Sequence, residues 1–346
     1  MTKRLTILVV IVLWMAACGS STKEDNMPTT SADTPAPAPT ATVIAPTLAE
    51  RAKLEGGVGP VYSLAWSPDG QVLAAAGYGQ VTLWDTDAYT QAHTLEGHTS
   101  YVWGVAWSPD GQRLASAGQD GSVRLWDAGT FEELAALDTG WAFCAAWSSD
   151  GRGLAVGTYA GRVQVWDVET GEVVRELAGT SLVISTAWSP DGRIIAVGQL
   201  DGKILLWDAG TGEQRQTLVG TTAARSDVNG LAWSPDGRVL ATAHQDGRVR
   251  LWNAEDGRVL RTLGGHSGWA RGVGWSPDGR WLASSGEDAT VRVWDAGTGE
   301  QLARLTGSAY PVWSVAWSPE GDALAAGNGV YEEATTGGTV MVWTMP

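Results

Sequence analysis

Positive charge, cysteine, histidine, phenylalanine and long apolar runs are all scarce in this chain. Its 346 residues carry 23 Lys and Arg against 38 Asp and Glu, a formal net charge of −15. Phosphate backbones are bound by clustered Lys and Arg, so this balance argues against nucleic acid as a partner; otherwise it bears on solubility. Two Cys cannot build a disulfide framework. The longest apolar stretch, Leu5 to Met15, is too short for a spanning helix, which needs ~20 residues. There is no Gly-x-Ser-x-Gly elbow, no Walker loop, no Cys-x-x-Cys, no His-Glu-x-x-His and no EF-hand loop. The four His fall in separate copies of a repeat described below, which argues against a shared metal site. The expectation is a protein without catalytic residues, metal or cofactor.

Against these scarcities stand 45 Gly and 20 Trp, beside only 2 Phe. Many Gly with many aromatics suit numerous short strands joined by tight turns. The Trp residues also recur at a fixed period. Ala65-Trp66-Ser67-Pro68-Asp69-Gly70 returns with Trp107, Trp147, Trp188, Trp233, Trp275 and Trp317, at separations of 41, 40, 41, 45, 42 and 42. A second series, Leu83-Trp84-Asp85 and its kin, has Trp126, Trp166, Trp207, Trp252, Trp294 and Trp343, which follow the first series by 18, then 19 five times, then 26. A period near 40 to 45 predicts a propeller with four strands per blade. In Ser-Pro-Asp-Gly, Pro presets φ, Asp bonds the local backbone and Gly takes positive φ, so the turn joins two antiparallel strands. The Trp residues are expected in the core between adjacent blades, and the Asp of each Trp-Asp pair is expected to cap the turn that follows it.

The N-terminus reads as a processing signal. Lys3 and Arg4 precede the apolar stretch, and Ala16-Ala17-Cys18-Gly19 follows it. Met15-Ala16-Ala17-Cys18 resembles the lipobox of bacterial lipoproteins, although Met15 departs from the more usual Leu. The resemblance implies cleavage of residues 1–17, acylation of Cys18 and stable anchoring to a membrane on its extracytoplasmic side. Residues 18–48 are rich in Ser, Thr, Ala and Pro and read as a semi-stiff tether. Residues 49–346 are the propeller.

Over that last span the repeats resemble those of WD-repeat propellers. The family's Gly-His pair appears at Gly97-His98 and Gly265-His266. Its hydrogen-bonded tetrad maps onto His98, Ser116, Asp120 and Trp126, and again onto His266, Ser284, Asp288 and Trp294; the other five repeats lack this His. The Ser-Pro-Asp-Gly turns also resemble those of the periplasmic Tol-system propeller, but the Leu-Trp-Asp series favours the WD family. The fold class expected is all-β, a seven-bladed propeller of four-stranded antiparallel blades. Leu95, Leu263 and Leu305 lie 12 residues before the next Trp of the first series, and Leu54 lies 12 before Trp66 with no earlier strands to its blade. The segment around Ala49 to Leu54 is therefore expected to supply the outer strand of the last blade and close the ring.

What remains for function is surface. One position near the start of each inner strand reads Tyr62, Trp103, Phe143, Ile184, Asn229, Arg271 and Trp313. Four of these are aromatic, and they either fill space between inner strands or rim the central opening as a binding site. In the resembling family this end of the ring also carries the loop Thr221 to Asp227 and the seven-residue insertion around Asn328 to Gly337, with Tyr331, Glu332 and Glu333. Cys144 reads as a buried inert thiol, His93 as an outer-strand residue and His244 as part of a hairpin turn. The resulting expectation is a monomeric, non-catalytic scaffold binding a protein or peptide; the alternative is a small-ligand or glycan sensor at the aromatic mouth.

Overall fold

The computed structural model describes residues 46–55, 59–220, 227–330 and 338–345, all within the compact unit Val43–Pro346. They form 27 β-strands and, among the described residues, no helix. Each repeat is an antiparallel meander of four strands, here lettered a to d. In the second repeat Arg113–Gly118, Ser122–Asp127 and Glu133–Asp138 are b, c and d. The turn that starts the meander behaves as its residue types demand. The Gly70 N–H donates to the Ser67 carbonyl at 2.9 Å, Gly70 takes φ +72°, and the Ser67 hydroxyl accepts the Val72 N–H at 2.9 Å. That last bond recurs in every repeat, at Arg113, Gly153, Ile194, Val239, Trp281 and Ala323. It places these residues, the second after the Gly of each turn, in one equivalent position.

Five sheets have four strands, as the repeat predicts. The sixth has seven, because Thr90–Trp107 runs unbroken for 18 residues from strand d of the first repeat into strand a of the second. Tyr101, on the connection, stays paired with Tyr78 on strand c of the first repeat, so no break occurs where the other repeats have one. A second expectation holds in register: Ala49–Leu54 pairs antiparallel with Val340–Thr344, with Leu54 opposite Val340. The N-terminal strand is thereby the outermost of the last sheet, which runs Ala49–Leu54, Val340–Thr344, Ala323–Asn328, Val312–Trp317.

Neighbouring sheets are joined by the Trp series. Trp107 lies opposite Leu114, and Leu114 opposite Trp126, so each sheet carries a row of two indoles and an aliphatic side chain. Small Ala residues on strand b leave room for the next sheet: Ala74 and Ala76 pack with Val105, Leu114 and Trp126 of the following repeat. Each first-series indole also reaches across. Trp107 Nε1 donates to the Ala65 carbonyl at 3.1 Å, and Trp147, Trp188, Trp233 and Trp275 repeat the bond to Ala106, Ala146, Ala187 and Ala232. Trp66 makes it to Ala316, 250 positions later. Trp317 is the exception. Its Nε1 is buried without a hydrogen-bond partner, and its ring lies against Trp281, centroids 5.9 Å apart.

Leu54 is 4% exposed and packs with Leu73, Trp84, Val340 and Val342, joining both ends of the chain. Leu54→Ala is expected to destabilise the protein by about 2–5 kcal/mol, read as a lower urea midpoint with an unchanged slope; an unchanged midpoint would mean this strand adds no stability.

Candidate functional site

The two tetrads form as mapped. Trp126 Nε1 donates to Ser116 Oγ at 2.9 Å, His98 Nε2 lies 2.7 Å from the same oxygen, and His98 Nδ1 lies 2.8 Å from Asp120 Oδ2. In the sixth repeat the corresponding distances among Trp294, Ser284, His266 and Asp288 are 2.9, 2.9 and 2.9 Å. An indole N–H can only donate and a carboxylate only accepts. The direction of the relay follows: indole to hydroxyl, hydroxyl to Nε2, Nδ1–H to carboxylate, with a neutral imidazole. Ser, His and Asp at these distances share the geometry of a hydrolytic triad. Here, however, Ser116 and Ser284 are fully buried and one lone pair of each hydroxyl is held by an indole. No substrate carbonyl reaches them, and the constellation acts as a clamp between loop, strand b and strand c.

A third imidazole performs part of this job from another position. His244 is the last residue of Val239–His244 and fully buried; it belongs to a strand, correcting its assignment to a hairpin turn. It aligns with Gly118 and Gly286. A Cβ on Gly118 would stand 2.5 Å from His98 Nδ1, and one on Gly286 would stand 2.4 Å from His266 Nδ1, so glycine there makes room for a ring arriving from the loop. In the fifth repeat that loop brings no His, and the ring grows from residue 244 instead. Its Nε2 lies 2.7 Å from Thr242 Oγ1, which accepts the Trp252 indole at 2.8 Å. Capping by the Trp-Asp series is also present: Asp127 Oδ1 accepts from Gly129 and Thr130, and Asn253 Oδ1 replaces a carboxylate by accepting from Glu255 and Asp256.

Antiparallel alternation puts the d-to-a connections and the b–c turns at one end of the sheets, and the a–b and c–d turns at the other. The aromatic positions lie at the first end and touch in series. Tyr62 meets Trp313 at 5.5 Å and Trp103 at 4.5 Å, and Trp103 meets Phe143 at 5.8 Å between centroids. Arg271 extends the arc: its guanidinium lies 4.4 Å from the centroids of both Trp313 and Trp269 and is ion-paired to Glu287. Asn229 instead donates to the Ala270 carbonyl. Tyr62 is buried, whereas Trp103, Phe143, Arg271 and Trp313 are half-buried. Both readings of this position thus meet in one object, a packed arc with one half-open side. Tyr331, Glu332, Glu333 and Cys18 lie outside the described residues, as do residues 221–226.

Sequence reasoning missed a second tier. Tyr101, Trp141 and Trp269 each stand six residues before a first-series Trp. Tyr78 opens strand c of the first repeat and Tyr159 occupies the b–c turn of the third, where its N–H donates to the Trp141 carbonyl as Gln119 does to Tyr101. Tyr101 packs on Tyr62, Tyr78 and Trp103, and Tyr159 on Trp141 and Phe143. Tyr78 and Tyr159 are the exposed fringe, at 36% and 44%. The shared six-residue offset was the available signal. Cys144 is half-buried, not fully buried as expected; it packs against the core cluster of Ala155, Val183 and Trp207, and desolvation of the sulfur raises its thiol to about 12, which disfavours the nucleophilic thiolate. Among the described residues no cluster of His, Cys, Asp and Glu could hold a metal ion.

Stacked four-stranded antiparallel sheets, wired by Trp at a period near 42 and clamped by buried tetrads, define a WD-repeat β-propeller. The family model described as IFT122 first beta-propeller matches residues 60–235, just over half of the chain. The WD domain, G-beta repeat model matches residues 257–295 and 299–344, and the Anaphase-promoting complex subunit 4 WD40 domain model matches residues 214–270. The chain belongs to the WD-repeat β-propeller family that the first model describes. No curated protein matches it. Propellers of these families commonly serve as protein-interaction scaffolds and are generally non-catalytic.

Burial holds His98 and His266 below the ordinary 6.5, against the pull of Asp120 and Asp288; burial pushes Asp288 up, but hydrogen bonds from His266, Thr290 and the Ser267 N–H together outweigh it and hold the carboxyl at about 2. Below pH 6.5 the unfolded chain binds protons that the folded one resists, so the histidine contribution is complete above pH 6.5 and is lost as pH falls through it. The carboxylate contribution is lost in turn below 3.8. Urea midpoints are expected to fall from pH 7.5 to 5, and less steeply in a His98→Asn, His266→Asn variant; parallel slopes would contradict neutral buried imidazoles.

Proposed function

We propose that this chain is a protein- or peptide-binding scaffold whose seven repeats close into one seven-bladed ring, held outside a bacterial membrane by a lipid on Cys18. The observation that carries the reading is the arc Phe143–Trp103–Tyr62–Trp313–Arg271, with its exposed fringe of Tyr78 and Tyr159. Tyr, Trp and Arg dominate binding hot spots because they present large contact area with few rotors and a polar tip. Here each ring is already braced by the next, so little side-chain freedom remains to be lost on association. The β-rich scaffold beneath keeps the arc rigid, and the loops of the same end frame it. The propeller binds as a single copy, and the tether of residues 18–48 sets its distance from the membrane.

Two outcomes are expected. Crosslinking in the source envelope is expected to capture a defined protein with residues 49–346 of the parent and to lose it with Trp103→Ala, Trp313→Ala, and also with the surface variant Tyr78→Ala, Tyr159→Ala, which removes exposed rings only. Equal capture by all three would assign the arc to packing; capture of none, with a small molecule retained by the parent, would favour a ligand or glycan sensor. Cys18→Ser in the full chain is expected to move the protein from the detergent phase to the aqueous phase on Triton X-114 partitioning, and retention in the detergent phase would remove the lipid anchor from the account.

A further inference from the structure

At the opposite end of the sheets, the second residue after the Gly of each Ser-x-Asp-Gly turn (Ser-Pro-Glu-Gly in the seventh repeat) sits in one equivalent place beside the first-series Trp of the next repeat. The side chains there are Val72, Arg113, Gly153, Ile194, Val239, Trp281 and Ala323. In the sixth repeat Trp281 lies against Trp317 of the seventh, with centroids 5.9 Å apart and planes 30° from parallel, and Trp317 is buried. Ile194 likewise faces a buried Trp233. The third repeat has only Gly153, whose Cα hydrogen points at Trp188: a Cβ built there would be 3.4 Å from Trp188 Cζ2. Trp188 is half-buried, as are Trp66, Trp107 and Trp275 of the same series; what sets the third repeat apart is the missing side chain at Gly153. Beside it opens a groove of about 420 Å³, floored by Trp166, Trp188, Val165 and Val174.

The rim of this groove is charged. Asp150, Asp167 and Asp191 line it with Arg152 and Arg175. Hydrogen bonds from Ser148, Thr170 and Ser189 hold the three carboxylates below the usual carboxylate range. The Arg175 guanidinium is turned onto the Thr211 and Gly210 carbonyls, 2.6 Å from each. Arg193 stands 3.9 Å from Asp191 with a largely exposed side chain, so Asp150 and Asp167 are the rim carboxylates outside ion-pair reach of any guanidinium among the described residues, in a chain whose net charge is −15.

We propose that the groove between the third and fourth repeats is a second binding site, which takes an aromatic side chain flanked by cationic residues in a partner peptide. The incoming ring stacks on Trp188 as Trp281 stacks on Trp317, so the protein's own sixth repeat displays the bound geometry. Lys or Arg beside that ring meets Asp150 and Asp191. The six other repeats carry a Cβ at this position with the same Ser hydroxyl bonded to the backbone, so Gly153→Trp needs only a shift of a few tenths of an ångström by Ser148 Oγ, which would stand 3.1 Å from the new Cβ, and fills the groove from within. The site stands apart from the aromatic arc, and either can fail without the other.

The test uses the peptide amide Lys-Trp-Lys carrying 5-fluorotryptophan, titrated against residues 49–346 and followed by fluorine NMR. Saturable binding is expected, with affinity reduced about tenfold or more by Gly153→Trp, the magnitude of a lost aromatic stack. Asp150→Asn, Asp191→Asn is expected to weaken it and to flatten its salt dependence. Lys-Ala-Lys and Glu-Trp-Glu, read by chemical-shift changes of nitrogen-labelled protein, should bind at least tenfold more weakly. Undiminished binding by a folded Gly153→Trp variant would overturn the proposal, as would equal binding of Lys-Ala-Lys or no binding by the parent. Loss of binding on Tyr78→Ala, Tyr159→Ala in place of Gly153→Trp would move the peptide to the other end and also overturn it.

Discussion

An indole N–H reaching from one sheet to a backbone carbonyl of the sheet before it is the contact on which the rest of this structure depends. A sheet of four short strands cannot bury both faces alone. Each therefore leans on its neighbour through a Trp that contributes a large apolar surface and one directional bond. The bond goes to the carbonyl of the residue directly before the neighbour's own Trp, as in Trp107 to Ala65 and Trp147 to Ala106. Because Ala sits at the accepting position, the donor ring can approach closely. Six Trp of the strand-a series obey this rule, whereas strand-c indoles such as Trp126, Trp252 and Trp294 bond to a hydroxyl of their own sheet and fill the space between sheets.

The same rule explains where the repeats diverge. Tetrad residues can be lost when another group takes over the buried indole of strand c. His244 supplies an imidazole from strand b where the loop has none, and Gln164 Oε1 accepts from Trp166 in a repeat without a hydroxyl. The strand-a indole is replaced in one place only among the described residues: Trp317 gives up its bond and gains the face of Trp281. Each exchange keeps the volume filled while changing the polar partner, which is how a repeat array tolerates sequence drift without losing its packing.

Much of this was legible from residue spacing. The turns, the two Trp series and the pairing of Ala49–Leu54 with the last sheet follow from offsets that repeat, because each copy of the unit tests the others, whereas both tetrads came from the resemblance to WD-repeat propellers. What escaped was relational. His244 looked like a turn residue because its strand ends on the residue itself, and only the imidazoles crowding Gly118 and Gly286 show what its ring replaces. The aromatic positions from Tyr62 to Trp313 were visible as a list, but their contact in series, the bridging by Arg271 and the second tier through Tyr101 and Trp269 depend on how adjacent strands splay. The open face of Trp188 was likewise hidden, since a missing side chain at Gly153 matters only beside a ring from the next repeat.

The bond from Trp66 to the Ala316 carbonyl carries the greatest weight, because it is the indole clasp that joins the first repeat to the last. If the repeats form one cooperative unit, that clasp opens only when the others do. Hydrogen exchange of the assigned indole protons in residues 49–346 measures this directly. The account predicts one shared slow rate for Trp66, Trp107, Trp147, Trp188, Trp233 and Trp275, set by global unfolding. A Trp66 proton exchanging far faster than the other five would mean that the first and last repeats part independently, and would contradict it.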